Sequence, residues 1–325
     1  MKRQAKSVRS SRSTGGGLAQ GRPRLALGLL LVLGAACLAG CDKSDPSGAG
    51  GADGRLRVVA AENFWGSIAA QLGGGRVSVR SIIVNPNTDP HSYEPSAGDA
   101  RTMAGARLAI VNGIGYDNWA PKLLAASPVS GRVVLNVGGL LGLGTGDNPH
   151  QWYSPTSVGK VVAEIVADYD ELDPAGAAYY ARRARMFETV SLAGYDRLRE
   201  EIRARYAGTP VGYSESIFRP LGEDLHLKLR TPYSFAKAVA EGTDVTASDK
   251  EAVDREARDR EIAVWVFNSQ NVTPDVERVN ELAKAAGIPI ATVTETLDPA
   301  GDTFERWQVA ELEGLLKALH EATGR

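Results

Sequence analysis

Eight short runs of β-branched and aliphatic residues, separated by helical stretches and turns, leave few folds open to this chain. They fall at residues 56–60, 77–84, 108–111 and 133–135, and again at 210–213, 227–230, 262–267 and 288–293. Strands that alternate with helices point to parallel sheets, because a parallel pair needs a crossover long enough to hold a helix. Between residues 135 and 210 there is almost no strand signal. The expectation is therefore an α/β fold of two lobes, each built on a parallel sheet. With 325 residues and 43% hydrophobic content, the chain can give both lobes a core.

The gap between the two sets has a helical rhythm. Tyr180, Ala184, Phe187, Val190, Tyr195, Leu198, Ile202 and Tyr206 recur mostly at three- or four-residue spacing. Asp173-Pro174 offers a start and Gly208 a stop. A helix over 177–207 would run roughly 45 Å at 1.5 Å per residue. That length suits a rigid strut joining the lobes; the plainer reading is a packing helix on one of them. The expected division is a signal peptide over 1–40, a tether over 41–55, a first lobe over 56–176, the helix over 177–207 and a second lobe over 208–325. No internal repeat of fixed period is evident.

The N-terminus has the layout of an export signal. Lys2, Arg3, Lys6, Arg9, Arg12, Arg22 and Arg24 precede an apolar run from Leu25 to Leu33, followed by small residues up to Cys41. The run is shorter than the about 20 apolar residues of a membrane span. Leu38-Ala39-Gly40-Cys41 resembles a bacterial lipobox, in which the cysteine becomes the lipidated first residue of the mature chain. An ordinary cleavage site with a chance cysteine, or a Cys37–Cys41 disulfide, is the alternative. Under the lipobox reading Cys37 leaves with the signal, so neither thiol catalysis nor a cysteine zinc site is available. Residues 42–54, rich in Gly, Ser, Ala and Asp, read as a flexible tether above a membrane. The formal charge of −2 understates the mature acidity. Without the seven leader cations, 30 basic side chains face 39 acidic ones, a charge near −9. That balance argues against nucleic acid as a partner and is compatible with a cationic ligand.

Four histidines are present, His91, His150, His226 and His320. His91 and His150 each follow a proline, in Asp89-Pro90-His91 and Asn148-Pro149-His150, and the fixed φ of proline stiffens the approach of the imidazole. Either a metal ligand or a surface loop histidine fits this pattern. Glu215 stands just past the run at 210–213 and Glu295 just past the run at 288–293. Ligands of parallel sheets gather beyond the carboxyl ends of strands, where His91, Glu215 and Glu295 all fall. Each glutamate alone could equally be a helix-capping neighbour or a solvated loop charge. His226 and His320 read as surface residues, Phe64-Trp65 as lobe core, and Gly113-Ile114-Gly115 as a strand-to-helix turn too sparse for a phosphate loop.

Several motifs occur together and in order. They are Val59-Ala-Ala-Glu-Asn-Phe-Trp-Gly66, Asp89-Pro-His91 with Tyr93-Glu-Pro95, and Val111-Asn-Gly-Ile-Gly-Tyr-Asp117. Asn148-Pro-His-Gln-Trp152, Tyr213-Ser-Glu215 and Phe267-Asn-Ser-Gln-Asn-Val-Thr-Pro274 come after them. With the lipobox, this resembles the zinc and manganese solute-binding lipoproteins of ABC importers, over essentially all of residues 56–325. The resemblance implies two α/β lobes joined by one long rigid helix, with a metal in the cleft between them. It implies His91, His150, Glu215 and Glu295 as ligands. The fourth ligand of the family is usually an aspartate in a Thr-Asp-Ser setting, which here reads Thr294-Glu295-Thr296, and Asp298 is the reserve candidate. It further implies an ABC permease and its ATPase as partners, and a monomer held to the outer face of the cell membrane through lipidated Cys41.

Imidazoles with carboxylates make a site for a divalent first-row ion, and the carboxylates lean the expected cargo to manganese, with zinc a close second. The loop over 137–148 has no histidine and one acid, unlike the rich loops of zinc receptors in the family. Two other readings compete. A surface adhesin would use the metal only structurally. A metallohydrolase would keep three ligands and an open position with Glu295 as base, but no His-Glu-x-x-His motif supports it. No enzymatic activity is expected.

Overall fold

The computed structural model describes residues 54–86, 88 and 93–325. The leader, Cys37, Cys41, most of the tether and His91 lie outside the described residues. Two four-stranded parallel sheets organise the rest. The first holds β1 (Leu56–Glu62), β2 (Val77–Ile83), β3 (Leu108–Val111) and β4 (Val133–Asn136) in the order β2-β1-β3-β4. The second holds β5 (Pro210–Tyr213), β6 (Lys228–Leu229), β7 (Val264–Asn268) and β8 (Ile290–Val293) in the order β6-β5-β7-β8. The same strand order thus occurs twice.

Differences from the expected strand limits have local causes. β1 reaches Glu62 because Glu62 still pairs with Ile83. β8 starts at Ile290 because Pro289 has no N–H for the ladder and the Ile288 amide is spent on the Ala283 carbonyl, 2.9 Å away. β6 shrinks to two residues at the edge of its sheet, paired only through Pro210–Lys228 and Val211–Leu229.

Side-chain alternation sorts each strand between two cores. Val58 and Ala60 of β1 face a large apolar cluster, whereas Val59 and Ala61 face a smaller one with Met103 and Trp119. In β7, Val264 and Val266 enter the large cluster, and Trp265 packs outward with Phe235 and Val279. The large cluster is shared by both sheets, since it also contains Ile110, Val211 and Val293.

The stretch between the sheets is helical through 177–206. An α-helix over Ala177–Met186 runs into a π turn at Phe187–Ser191, closed by the Leu192 amide on the Phe187 carbonyl at 2.9 Å, and resumes over Ala193–Tyr206. Its first half packs on the helices Asn63–Gly73 and Pro155–Leu172, its second on the helix Phe304–Thr323. Tyr180, Phe187, Tyr195, Leu198, Ile202 and Tyr206 are buried along it. Val190, which the periodicity assigned to the same face, is 66% exposed, because the wider turn carries it outward.

Gly212 marks how closely β5 is packed. A Cβ there would lie 2.7 Å from Ile262 Cδ1 and 2.8 Å from Cε3 of the fully buried Trp265. Gly212→Ala is expected to lower the stability by about 1–3 kcal/mol through overpacking, read as a lower urea midpoint.

Candidate metal centre

In both sheets the central pair of strands marks the point where the strand order reverses, and ligand sites of parallel sheets form beyond the carboxyl ends there. In the second sheet β5 leads into Glu215 and β7 ends on Asn268, with Glu295 two residues past β8. In the first, β3 leads into a turn in which Gly113, Ile114 and Gly115 all have φ between 60° and 85°. A β-branched residue with φ of 60° is strained, by an amount of order 1–3 kcal/mol. That turn delivers Tyr116 and Asp117. The Asp117 carboxylate fastens it by accepting from the Asn112 and Gly113 amides, each at 2.8 Å.

His150, directly before the 3-10 turn Gln151–Tyr153, meets Glu215 and Glu295, with one ligand-type atom from each lying within 4.8 Å of the others. All three are buried. His150 Nε2 is 3.5 Å from Glu215 Oε1 and 3.6 Å from Glu295 Oε1. The opposite ring nitrogen fixes the tautomer. Asn148 donates its amide N–H to the Ser216 carbonyl at 2.8 Å, so its Oδ1 faces His150 Nδ1, also at 2.8 Å. An oxygen can only accept, so Nδ1 carries the proton and the Nε2 lone pair points at the carboxylates. Burial pushes the His150 pKa down to about 4 against the pull of Glu215, which keeps the ring neutral. Trp152 and Tyr116 pack edge-on to the imidazole, at centroid distances of 5.2 and 5.9 Å.

The same architecture recurs in known proteins. The family model of ZnuA, the periplasmic component A of a zinc-uptake complex, matches residues 58–318. The chain belongs to this family. Among curated relatives, the manganese-binding lipoprotein MntA of Halalkalibacterium halodurans is 28% identical over 270 residues, covering 80% of this chain and 77% of the relative. The zinc-binding lipoprotein AdcA of Streptococcus pneumoniae is 24% identical over 309 residues, covering 84% of this chain but only 56% of its own length. The fold is shared with the periplasmic zinc-binding protein TroA of Treponema pallidum, at a TM-score of 0.69 and 16% identity, over 82% of this chain and 99% of that one. A manganese-bound periplasmic metal-binding protein of Candidatus Liberibacter asiaticus superposes with a TM-score of 0.68 at 20% identity, over 81% and 99%.

Residues that the sequence did not single out complete the surroundings. Asn268 donates through one amide nitrogen to Glu215 Oε2 at 2.7 Å and to Glu295 Oε1 at 2.9 Å. Asn271 adds a donor to Glu215 Oε2 at 3.2 Å, and the Tyr116 hydroxyl donates to Glu295 Oε2 at 2.7 Å. Glu215 Oε1 accepts no hydrogen bond among the described residues. Asn268 closes a central strand, so the strand-end rule that found Glu215 could have found it. The other expected residues fall elsewhere. His91 is outside the described residues, and Asp298 is exposed and apart from the cluster. His226 and His320 are exposed, and Phe64 and Trp65 are buried core.

Burial raises the Glu215 pKa well above the usual carboxylate range, the neighbouring Glu295 adds to the rise, and His150 opposes it. Asp168 is likewise pushed up to about 7 by burial and by Glu164 and Glu171. A carboxyl whose folded-state pKa is raised stabilises the fold below its unfolded pKa, and that stability is lost as pH rises through the raised value. The metal-free protein is therefore expected to unfold at lower urea at pH 8 than at pH 5.5, and Glu215→Gln should narrow the difference.

Proposed function

We propose that this chain is the extracytoplasmic substrate-binding receptor of an ABC importer, and that its cargo is a divalent transition metal, manganese or zinc. The observation that carries the reading is the buried convergence of a loop histidine, His150, with Glu215 and Glu295, which lie just past two strands of the second sheet, in a chain of this family. An imidazole lone pair and two carboxylates suit a first-row dication, and two negative charges would balance it where little water remains. Asn268, Asn271 and Tyr116 would keep the carboxylates oriented after the ion leaves. His91 is proposed to join these three as a ligand, on the strength of its place in the Asp89-Pro90-His91 motif. The carboxylate pair leans the cargo toward manganese, although zinc binds most such sites more tightly.

The proposed setting rests on the N-terminal sequence and on relatives described as lipoproteins. Cys41 would carry the lipid, the tether would let the folded body move above the membrane, and a permease with its ATPase would receive the metal. No helix among the described residues is long and apolar enough to cross a membrane. The receptor would act as a monomer and catalyse no reaction.

Metal content settles the central point. Protein stripped of metal and reloaded in equal manganese and zinc is expected to hold one equivalent by mass spectrometry, and Glu295→Ala to hold less than a tenth of that. No stoichiometric metal in the unmodified protein would refute the reading. Affinity should also fall as the pH is lowered from 7 to 5, because the Glu215 carboxyl, whose pKa burial raises, must shed its proton to bind.

A further inference from the structure

A second polar node adjoins the cluster at Thr294, the residue before Glu295. Glu311, partly buried on the helix Phe304–Thr323, meets both lobes with one carboxyl group. Its Oε1 accepts from the Thr294 amide at 2.9 Å and lies 3.0 Å from the Thr294 hydroxyl. Its Oε2 is 2.6 Å from the hydroxyl of Tyr153, which is fully buried in the first lobe. That hydroxyl is also 2.9 Å from the Thr294 carbonyl and 3.2 Å from the Thr294 amide. Thr294 immediately precedes Glu295, and Tyr153 closes the short 3-10 turn Gln151–Tyr153 that comes directly after His150.

The hydrogens at this node can be assigned. Tyr153 has one hydroxyl proton and two acceptors within reach, Glu311 Oε2 and the Thr294 carbonyl. If Glu311 holds a proton, it donates to the Tyr153 oxygen, and Tyr153 donates to the Thr294 carbonyl. The Thr294 amide then donates to Oε1. Every contact of Glu311 with the Tyr153 hydroxyl and the Thr294 amide then has a donor and an acceptor, and the Thr294 hydroxyl shares its one proton between Glu311 Oε1 and the Thr296 carbonyl, 2.9 Å away. Burial pushes the Glu311 pKa up to about 8, against the bonds from Tyr153 and Thr294, which accords with the protonated form. Trp307 Nε1, one helical turn before Glu311, donates to the Thr294 hydroxyl at 2.8 Å.

We propose that Glu311 is a positioning residue of the metal centre, which sets the separation of His150 and Glu295 by holding the Tyr153 hydroxyl and the Thr294 amide on one carboxyl group. The inference rests on His150 and Glu295 being metal ligands. Among the described residues Glu311 touches no ligand side chain, and its effect passes through the two backbone segments that deliver His150 and Glu295. A glutamine can take its place, because its carbonyl oxygen accepts from the Thr294 amide and its N–H donates to Tyr153. An alanine cannot.

Cobalt(II) is the probe, since its visible absorption reports the geometry around the ion while a competing chelator reports the affinity. Glu311→Ala is expected to shift the cobalt spectrum and weaken binding by about tenfold, the lower end for outer-shell partners of metal ligands. Glu311→Gln should restore both to near the unmodified protein. Tyr153→Phe should shift the spectrum, and its combination with Glu311→Ala should be no worse than Glu311→Ala alone. A folded Glu311→Ala with unchanged spectrum and affinity would overturn the proposal, as would a Glu311→Gln that behaves like alanine. If Glu311→Ala fails to fold, Tyr153→Phe decides, and an unchanged spectrum there rejects the proposal. Glu295→Ala separates the two levels. Its loss of cobalt beside an unaffected Glu311→Ala rejects only this inference, whereas tight cobalt binding by Glu295→Ala removes the ligand reading and this inference with it.

Discussion

Two carboxyl groups and an imidazole share a space closed to water, and much of the polar framework exists to make that tolerable. An ion taken into a protein interior loses hydration worth several kcal/mol even after relaxation. Hydrogen-bond donors among the described residues offset part of this cost. The Asn268 amide bridges the carboxylates, Tyr116 and Asn271 supply further donors, and Asn148 fixes which imidazole nitrogen faces them. What is left over is acceptor capacity at Glu215 Oε1, which accepts no hydrogen bond among the described residues and faces His150 Nε2 at 3.5 Å. A surplus of buried acceptors at one point is a demand for positive charge.

The second requirement is that groups from two sheets hold their spacing. The segment carrying Glu295 belongs by sequence to the second sheet, yet the first lobe grips it along its length. Leu297 donates its amide to Asn63 Oδ1 at 3.2 Å, Phe304 donates to Ser67 Oγ at 2.9 Å, and Gln71 donates to Glu305 at 2.7 Å. Tyr116 and Tyr153 of the first lobe bond to Glu295 and to the Thr294 carbonyl in the same segment. Glu215 is tied across the gap more lightly, through the bond from Asn148 to the Ser216 carbonyl and the contact of the Ser216 hydroxyl with His150. Of the two carboxylates, Glu295 is the one fastened to the opposite lobe.

Much of this was legible in the sequence. The β-branched runs gave away both sheets, because strand pairing leaves a local chemical trace. Glu215 and Glu295 stood out because parallel sheets present the residues just past their strands, and His150 because prolines punctuate loops. Asn268 lay within reach of the same strand-end rule, but Tyr116 and Glu311 were not legible as participants, because their importance lies in partners 179 and 158 residues away. A hydrogen bond across that distance leaves no periodicity and no composition signal. The π turn at Phe187–Ser191 escaped for a related reason, since one extra residue in a turn barely disturbs a helical rhythm. The doubled strand order was also hidden, because the same topology can be written in unrelated side chains.

The apolar cluster that both sheets share has a thermodynamic consequence. Val58 and Ile110 from one lobe, Val211 and Val293 from the other, and Tyr180 and Ile202 of the intervening helical run all belong to it. Two lobes with private interiors could melt one after the other, and an ion at their junction would protect only the junction. With a common interior, neither lobe can open without exposing the packing surface of its neighbour. The free energy of holding an ion in the cleft is then spread over the whole folded body, which gains or loses its order as one cooperative unit.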